Sequence, residues 1–107
     1  IHGRGVTLLA PTDKAMDAMG DWKLLTRQAH RAELDEFVGH HVLPFNLSYE
    51  KFKAKDSHEC LAGQILPVDV RGGITINDAR VRSGDVVTSN GTVLALDDVV
   101  MIPSFLR

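Results

Sequence analysis

The sequence predicts an α+β domain, on three observations. After one short apolar strand, the first half carries apolar residues at helical spacing. From Cys60 onward the period changes to two, with turn residues between short β-favouring segments. Strand, then helices, then a meander of strands is the order of an α+β fold. The third observation is the run SNGTVLALDDVVMIP at 89–103, apolar apart from its first residues and two aspartates. It predicts a strand buried on both faces, at the centre of the core.

The elements follow in order. Val6 to Ala10 reads as a short buried strand that Pro11 ends. Thr12 is placed to cap a helix, with Asp13 in the first turn, where the helix dipole favours negative charge. Met16 and Met19 share one face of that helix and Gly20 terminates it. Trp22, Leu24 and Leu25 mark a second short helical piece. The next helix runs from about Arg31 to His40. Leu34, Phe37, Val38 and His41 fall at i, i+3, i+4 and i+7, a core-facing stripe opposite Glu33, Asp35 and Glu36. Val42-Leu43-Pro44 stops it, because the residue before proline is pushed toward extended geometry. Ser48 caps one more short helix through about Lys53.

The second half reads as strands at Leu61, Gln64–Leu66 and Val68–Val70, separated by Gly63 and Pro67. Gly72-Gly73 turns into Ile74–Ile76, Asn77-Asp78 reverses the chain again, and Val81 and Val86-Val87 continue the meander. Asn90-Gly91, a dipeptide that tolerates positive φ, makes the last hairpin into the apolar run.

Composition bounds the function. At 107 residues, with a 44% apolar share, the chain is one domain over 1–107 that can bury a core without metal or disulfide support. A net charge of −2 provides no electrostatic footprint for nucleic acid, and Lys51, Lys53 and Lys55 are flanked by Glu50 and Asp56. Cys60 is the only cysteine, so no internal disulfide forms. No apolar run approaches the roughly 20 residues of a membrane-spanning helix. Asn46-Leu47-Ser48 and Asn90-Gly91-Thr92 fit the N-glycosylation pattern, although Asn90 is explained by its turn.

Side chains that could carry chemistry do not converge in the sequence. His40 and His41 are adjacent on a helix, about 100° apart, and cannot easily face one metal ion. His41 continues the Leu34/Phe37/Val38 stripe and reads as a buried histidine held by hydrogen bonds; His40 lies nearer the surface, available to a partner. His58 and Cys60 share a face if that segment is extended. A Cys/His nucleophile pair also needs an orienting group and an oxyanion site, which are not visible, so Cys60 reads as buried and inert. Asp97 and Asp98 alternate across a strand and read as a strand-end pair making local hydrogen bonds. Gly72-Gly73 lacks the following helix that a phosphate loop requires. No cofactor and no metal are expected.

Three segments, in order, resemble the fasciclin-like domain family. TLLAPTDKAM at 7–16 resembles the family's opening box, commonly TLFAPTNEAF, with Leu9 and Met16 in place of its phenylalanines. FVGHHVLP at 37–44 is similar to its central tyrosine-histidine box, with His40 at the tyrosine and His41 at the histidine. The run at 89–103 is similar to its closing box, NGVIHVID followed by an apolar stretch ending in proline, with Leu94 at the histidine and Asp97 at the aspartate. The resemblance spans Thr7 to Pro103. It implies a fasciclin-like fold of short strands in a two-sheet β wedge, with several short helices packed at one side. The family's N-terminal helical segment has no counterpart in the six residues before Thr7.

By the same resemblance, the domain is expected to be non-enzymatic and extracytoplasmic, whether secreted, periplasmic or at the cell surface. Its expected work is adhesion or the binding of a cell-surface or matrix protein or polysaccharide. In some members, an aspartate-isoleucine pair before the closing box and the tyrosine-histidine region bind integrins. The matching positions are Asp85 with Val86 and, in the central box, His40. The partner surface is therefore expected at His40 with Asp85, Val86 and Val87, while Thr12, His41, Asn90, Gly91 and Asp97 serve structure. Apolar surface bared by the absent helices is expected to drive dimerisation or a rearrangement of the N-terminus. The alternatives are a small-molecule- or metal-dependent activity around His58 and Cys60, or a purely structural spacer.

Overall fold

The computed structural model describes residues 5–82, 86–88 and 91–106, without the side chains of residues 86–88. Its strands, in chain order, are β1 (Val6–Pro11), β2 (Val42–Leu43), β3 (Ser57–Glu59), β4 (Ile65–Asp69), β5 (Thr75–Ile76), β6 (Ala79–Arg80), β7 (Val86–Thr88) and β8 (Gly91–Leu96). The α-helices are α1 (Asp13–Met19), α2 (Arg31–His40) and α3 (Tyr49–Lys53). One sheet has the order β2-β1-β8-β7 and the other β3-β4-β5-β6. The fold is α+β, as the change of period implies.

At the heart of the first sheet β1 and β8 run parallel, in register from Val6↔Gly91 to Pro11↔Leu96. Thr7, Leu9, Thr92, Leu94 and Leu96 point inward and are buried, while Leu8 faces outward and is 40% exposed. The alternation follows from the two-residue period of the pleat. The sheets meet where Val81 bridges Leu96, the Arg82 amide donates to Ala95 (2.8 Å) and the Asp97 amide donates to Arg80 (2.9 Å). Leu9, Leu43, Phe52, Leu66, Ile76 and Leu94 pack in the wedge between them. A second cluster of Met19, Leu25 and Phe37 lies under residues 99–106.

The helices obey local rules. Thr12 Oγ1 accepts from the Ala15 amide at 3.2 Å, and Gly20, at φ +125°, ends α1. Two 3-10 turns, Trp22–Thr26 and Gln28–His30, lead into α2. Ser48 Oγ accepts from the Lys51 amide (3.3 Å) to start α3.

Four expectations need correction. Val38 is 46% exposed: Phe37 and His41 take the buried face, and Val38, about 100° round the helix, turns into a groove with Leu61 and Ala62. Leu61 is not in a strand, because Cys60 and Gln64 close a tight turn around it, and the strand lies upstream at β3. Pro67 does not divide two strands but sits inside β4. Its carbonyl accepts from the Asn77 amide, so its missing N–H falls where the β4–β5 ladder gives way to a turn. The run at 89–103 is a strand only as far as Leu96. Asp97 and Asp98 are exposed and leave the strand, since carboxylates are costly to bury in a strand covered on both faces.

Candidate functional site

The central box, in α2 and β2, is hydrogen-bonded to residues 99–106 through one side chain, that of His41, and packs on them through Phe37. His41 follows α2 and is 3% exposed. Its Nδ1–H donates to the Phe37 carbonyl at 2.8 Å, and its Nε2 accepts from the Val100 amide at 2.9 Å. A carbonyl can only accept and an amide N–H can only donate, so the tautomer is determined by the two partners. The ring also tilts against Phe37 at 4.3 Å. Burial pushes its pKa down from 6.5 to about 4, against the raising effect of the Phe37 bond, and neighbouring His40 lowers it further. The Val100 carbonyl accepts from Asn77 Nδ2 at 2.8 Å. Both polar groups of one backbone residue are thus held by side chains.

His40 has the opposite surroundings. It is half-buried, its Nδ1–H donates to the Glu36 carbonyl at 2.7 Å, and Nε2 has no protein partner among the described residues. Adjacent in sequence, the two rings serve different sides. His40 precedes β2 at one edge of the first sheet and Val86-Val87 form β7 at the other, with β1 and β8 between them. Those expected contact points are therefore three strand spacings apart, roughly 14 Å. Asp85 and Asn90 lie outside the described residues.

The remaining sequence candidates have local partners. His58 is buried in β3; its Nε2–H donates to the Phe52 carbonyl at 2.7 Å and the ring stacks on Phe52 at 5.0 Å. Cys60 is 2% exposed. Among the described residues, no three His, Cys, Asp or Glu side chains come together in a way that could hold a metal ion. Asp97 Oδ1 meets Arg82 Nε at 3.3 Å, and the Arg80 amide donates to Asp98 Oδ2 at 3.4 Å. Gly91 is not the turn residue. Register places Thr88 of β7 opposite Gly91, which opens β8 at φ +155°. A Cβ there would overlap the Val6 carbonyl oxygen, so the parallel pairing itself requires glycine.

Sequence reading missed three polar side chains. Thr7 Oγ1 donates to the Phe45 carbonyl (2.6 Å) and accepts from the Leu47 amide (2.8 Å), while Thr92 donates to Asn46 Oδ1 (2.9 Å). Thr7 and Thr92 are register partners, so together they anchor the loop after β2. The available signal was a threonine at an inward position of an apolar strand, where a buried hydroxyl needs a partner. Asn77 was seen only as a turn residue. Its backbone is indeed left-handed, at φ +50°, but its amide reaches Val100. Among the described residues, every buried side-chain nitrogen or oxygen has a partner.

Comparison with known proteins agrees with this architecture. The family model described as "Fasciclin domain" matches residues 1–103. Protein sll1483 of Synechocystis sp. is 30% identical over 100 residues, covering 91% of this chain and 55% of that protein. The cell surface glycolipoprotein MPB83 of Mycobacterium bovis is 28% identical, over 97% of this chain and 47% of its own length. Stabilin-1 of Mus musculus is 29% identical over 94% of this chain, which spans only 4% of that protein. The chain thus spans about half the length, or far less, of these curated relatives. Among solved structures, the FAS1 domain pair of the insect cell adhesion molecule fasciclin I superposes with a TM-score of 0.76 and 24% identity. That match covers 92% of this chain and 38% of that one.

Proposed function

The chain belongs to the fasciclin domain family, and from that premise we propose that it is a non-enzymatic interaction module working outside the cytoplasm, in adhesion or surface-partner binding. The observation that carries the reading is the family match over 1–103, together with relatives named as a cell surface glycolipoprotein and a cell adhesion molecule. The geometry supports it, since the interior histidines His41 and His58 spend their hydrogen bonds on backbone groups. No helix among the described residues is long and apolar enough to cross a membrane.

The contact surface we assign is His40 at the β2 edge with Val86 and Val87 at the β7 edge, together with Asp85, which precedes them in sequence; a partner must span the sheet to engage both edges. The partner is a surface or matrix protein or a polysaccharide. The test is retention of matrix proteins, polysaccharides and whole cells on the immobilised domain, compared with the double variant His40→Ala/Asp85→Ala. Retention that falls at least tenfold in the variant supports the surface. Equal retention moves the contact elsewhere, and no retention by the unsubstituted domain overturns the adhesion reading in favour of a spacer.

A second copy is the other partner the surface suits. Leu8 lies beside Val42 in register, the Leu61 amide donates to the Val42 carbonyl, and Val38 shares a groove with Leu61. Leu8, Val38 and Leu61 are all 40% or more exposed, forming a continuous apolar band. Light scattering is expected to report a dimer; a clean monomer at high concentration removes this part of the reading.

A further inference from the structure

Residues 99–106 are bound to the molecule in an unusual way. They pair with no strand, and among the described residues their backbone bonds to the rest of the chain are both made at Val100. One of these goes to His41 Nε2 and the other comes from Asn77 Nδ2. At the far end, the Phe105 ring stacks on His30 at 4.0 Å and 7° between planes, with His30 Nδ1 3.4 Å from Glu33 Oε1. Between those points the segment covers Met19, Leu25 and Phe37. It is a strap attached at His41 and Asn77 on one end and at His30 on the other.

We propose that the strap is an acid-released cover: protonation of His41 frees residues 99–103 from α2 and bares the apolar surface beneath, while the two sheets stay folded. The chemistry lies in the donor and acceptor count. His41 Nδ1 already carries a hydrogen, given to Phe37, so an added proton goes to Nε2. That N–H then faces the Val100 N–H, and a hydrogen bond becomes a contact of two donors. Among the described residues no carboxylate acts on His41 to offset the new charge. From α2, His41 meets Phe37 and the titratable His40; from β1 it meets the Leu9 amide, bonded to its carbonyl; from the strap it meets Val100. His40, when charged, repels it further. The other attachment does not involve His41: the Phe105 ring stacks on His30, whose Nδ1 lies 3.4 Å from Glu33 Oε1. Residues 99–103 therefore lift while 104–106 remain the hinge.

The size of the effect follows from linkage. His41 titrates near 6.5 when released and near 4 when bound, so opening grows about tenfold for each pH unit lost between those values, about 300-fold in all. This does not depend on which partner the domain binds.

The experiment is amide hydrogen exchange followed by NMR from pH 7 to pH 4.5, corrected for intrinsic exchange rates. Protection at Val100 is expected to fall about 40-fold between pH 6.5 and 4.5, the slope flattening near each end, while Leu9 and Leu94 stay protected. In His41→Gln the Val100 amide is expected to exchange at a rate independent of pH. Loss of protection at Val100 and Leu94 together overturns the proposal, because the strap would then open only with the whole molecule; so does an unchanged pH dependence in His41→Gln. Should that variant fail to fold, the ¹⁵N titration of the His41 ring in the unsubstituted protein decides. A midpoint coinciding with that of Val100 exchange supports release, and a ring neutral until global acid unfolding refutes it.

Discussion

The two halves of the run at 89–103 are alike in composition and unlike in architecture. Gly91–Leu96 is the central strand β8, with its backbone groups engaged by β1 on one side and β7 on the other. Val99 to Ile102 is comparably apolar but belongs to no ladder, and its polar backbone is met at Val100 by His41 and Asn77. Apolar composition thus says that a segment is buried, not how its amides and carbonyls are satisfied. Ladder bonds come from neighbouring backbone whatever the side chains, whereas the strap depends on two particular residues.

This contrast can be broken at several points. The largest effect is expected at Gly91→Val, where the new side chain must displace the Val6 backbone and with it the β1–β8 register. A loss on the order of 4 kcal/mol is expected by urea denaturation; a loss under 1 kcal/mol would show that the parallel pair is not under this constraint. Leu94→Ala, at a fully buried position of the same strand, is expected to cost about 3 kcal/mol with uniform loss of protection across both sheets.

On the strap side the lever is pH. His41 is held below its unfolded value, so its stabilising contribution is complete above about pH 6.5 and is lost as pH falls toward 4. Going from pH 7 to pH 5 is expected to cost about 2 kcal/mol in denaturant titrations. A variant lacking His41 should show a flatter profile over that window, and equal slopes would separate His41 from acid sensitivity. The smallest effect is expected at Asn77→Ala, which leaves the Val100 carbonyl without its donor and puts alanine at a left-handed position. About 1.5 kcal/mol is expected, seen as faster exchange in residues 99–102 before any change in β8.

What the sequence revealed follows the range of the interactions. The cap at Ser48, the reversal at Asn77-Asp78 and the end of α1 at Gly20 depend on residues within three or four positions, and they were legible. The side of α2 on which Val38 lies was not, because spacing alone cannot say where the buried arc ends, and here it stops at Phe37 and His41. The strand β3 was missed because Ser57-His58-Glu59 has no apolar alternation; its antiparallel pairing with residues 65–67 places it in the sheet, with His58 buried against Phe52. At the candidate site, adjacency suggested that His40 and His41 have different roles, but the partner of His41 lies 59 residues away. Thr7 and Thr92 likewise act on a loop about 40 residues distant from each.

The pairing of Val6 with Gly91 joins positions separated by 85 residues (91 − 6). A contact that distant must meet its loop-closure entropy before any neighbouring pair repays it, and such contacts slow folding. During synthesis β1 emerges 85 residues ahead of its central partner. The first sheet therefore cannot close until the intervening chain has been made. For as long as elongation lasts, β1 is an unpaired apolar strand, and the domain's exposure to misassembly is set by the time needed to make those 85 residues.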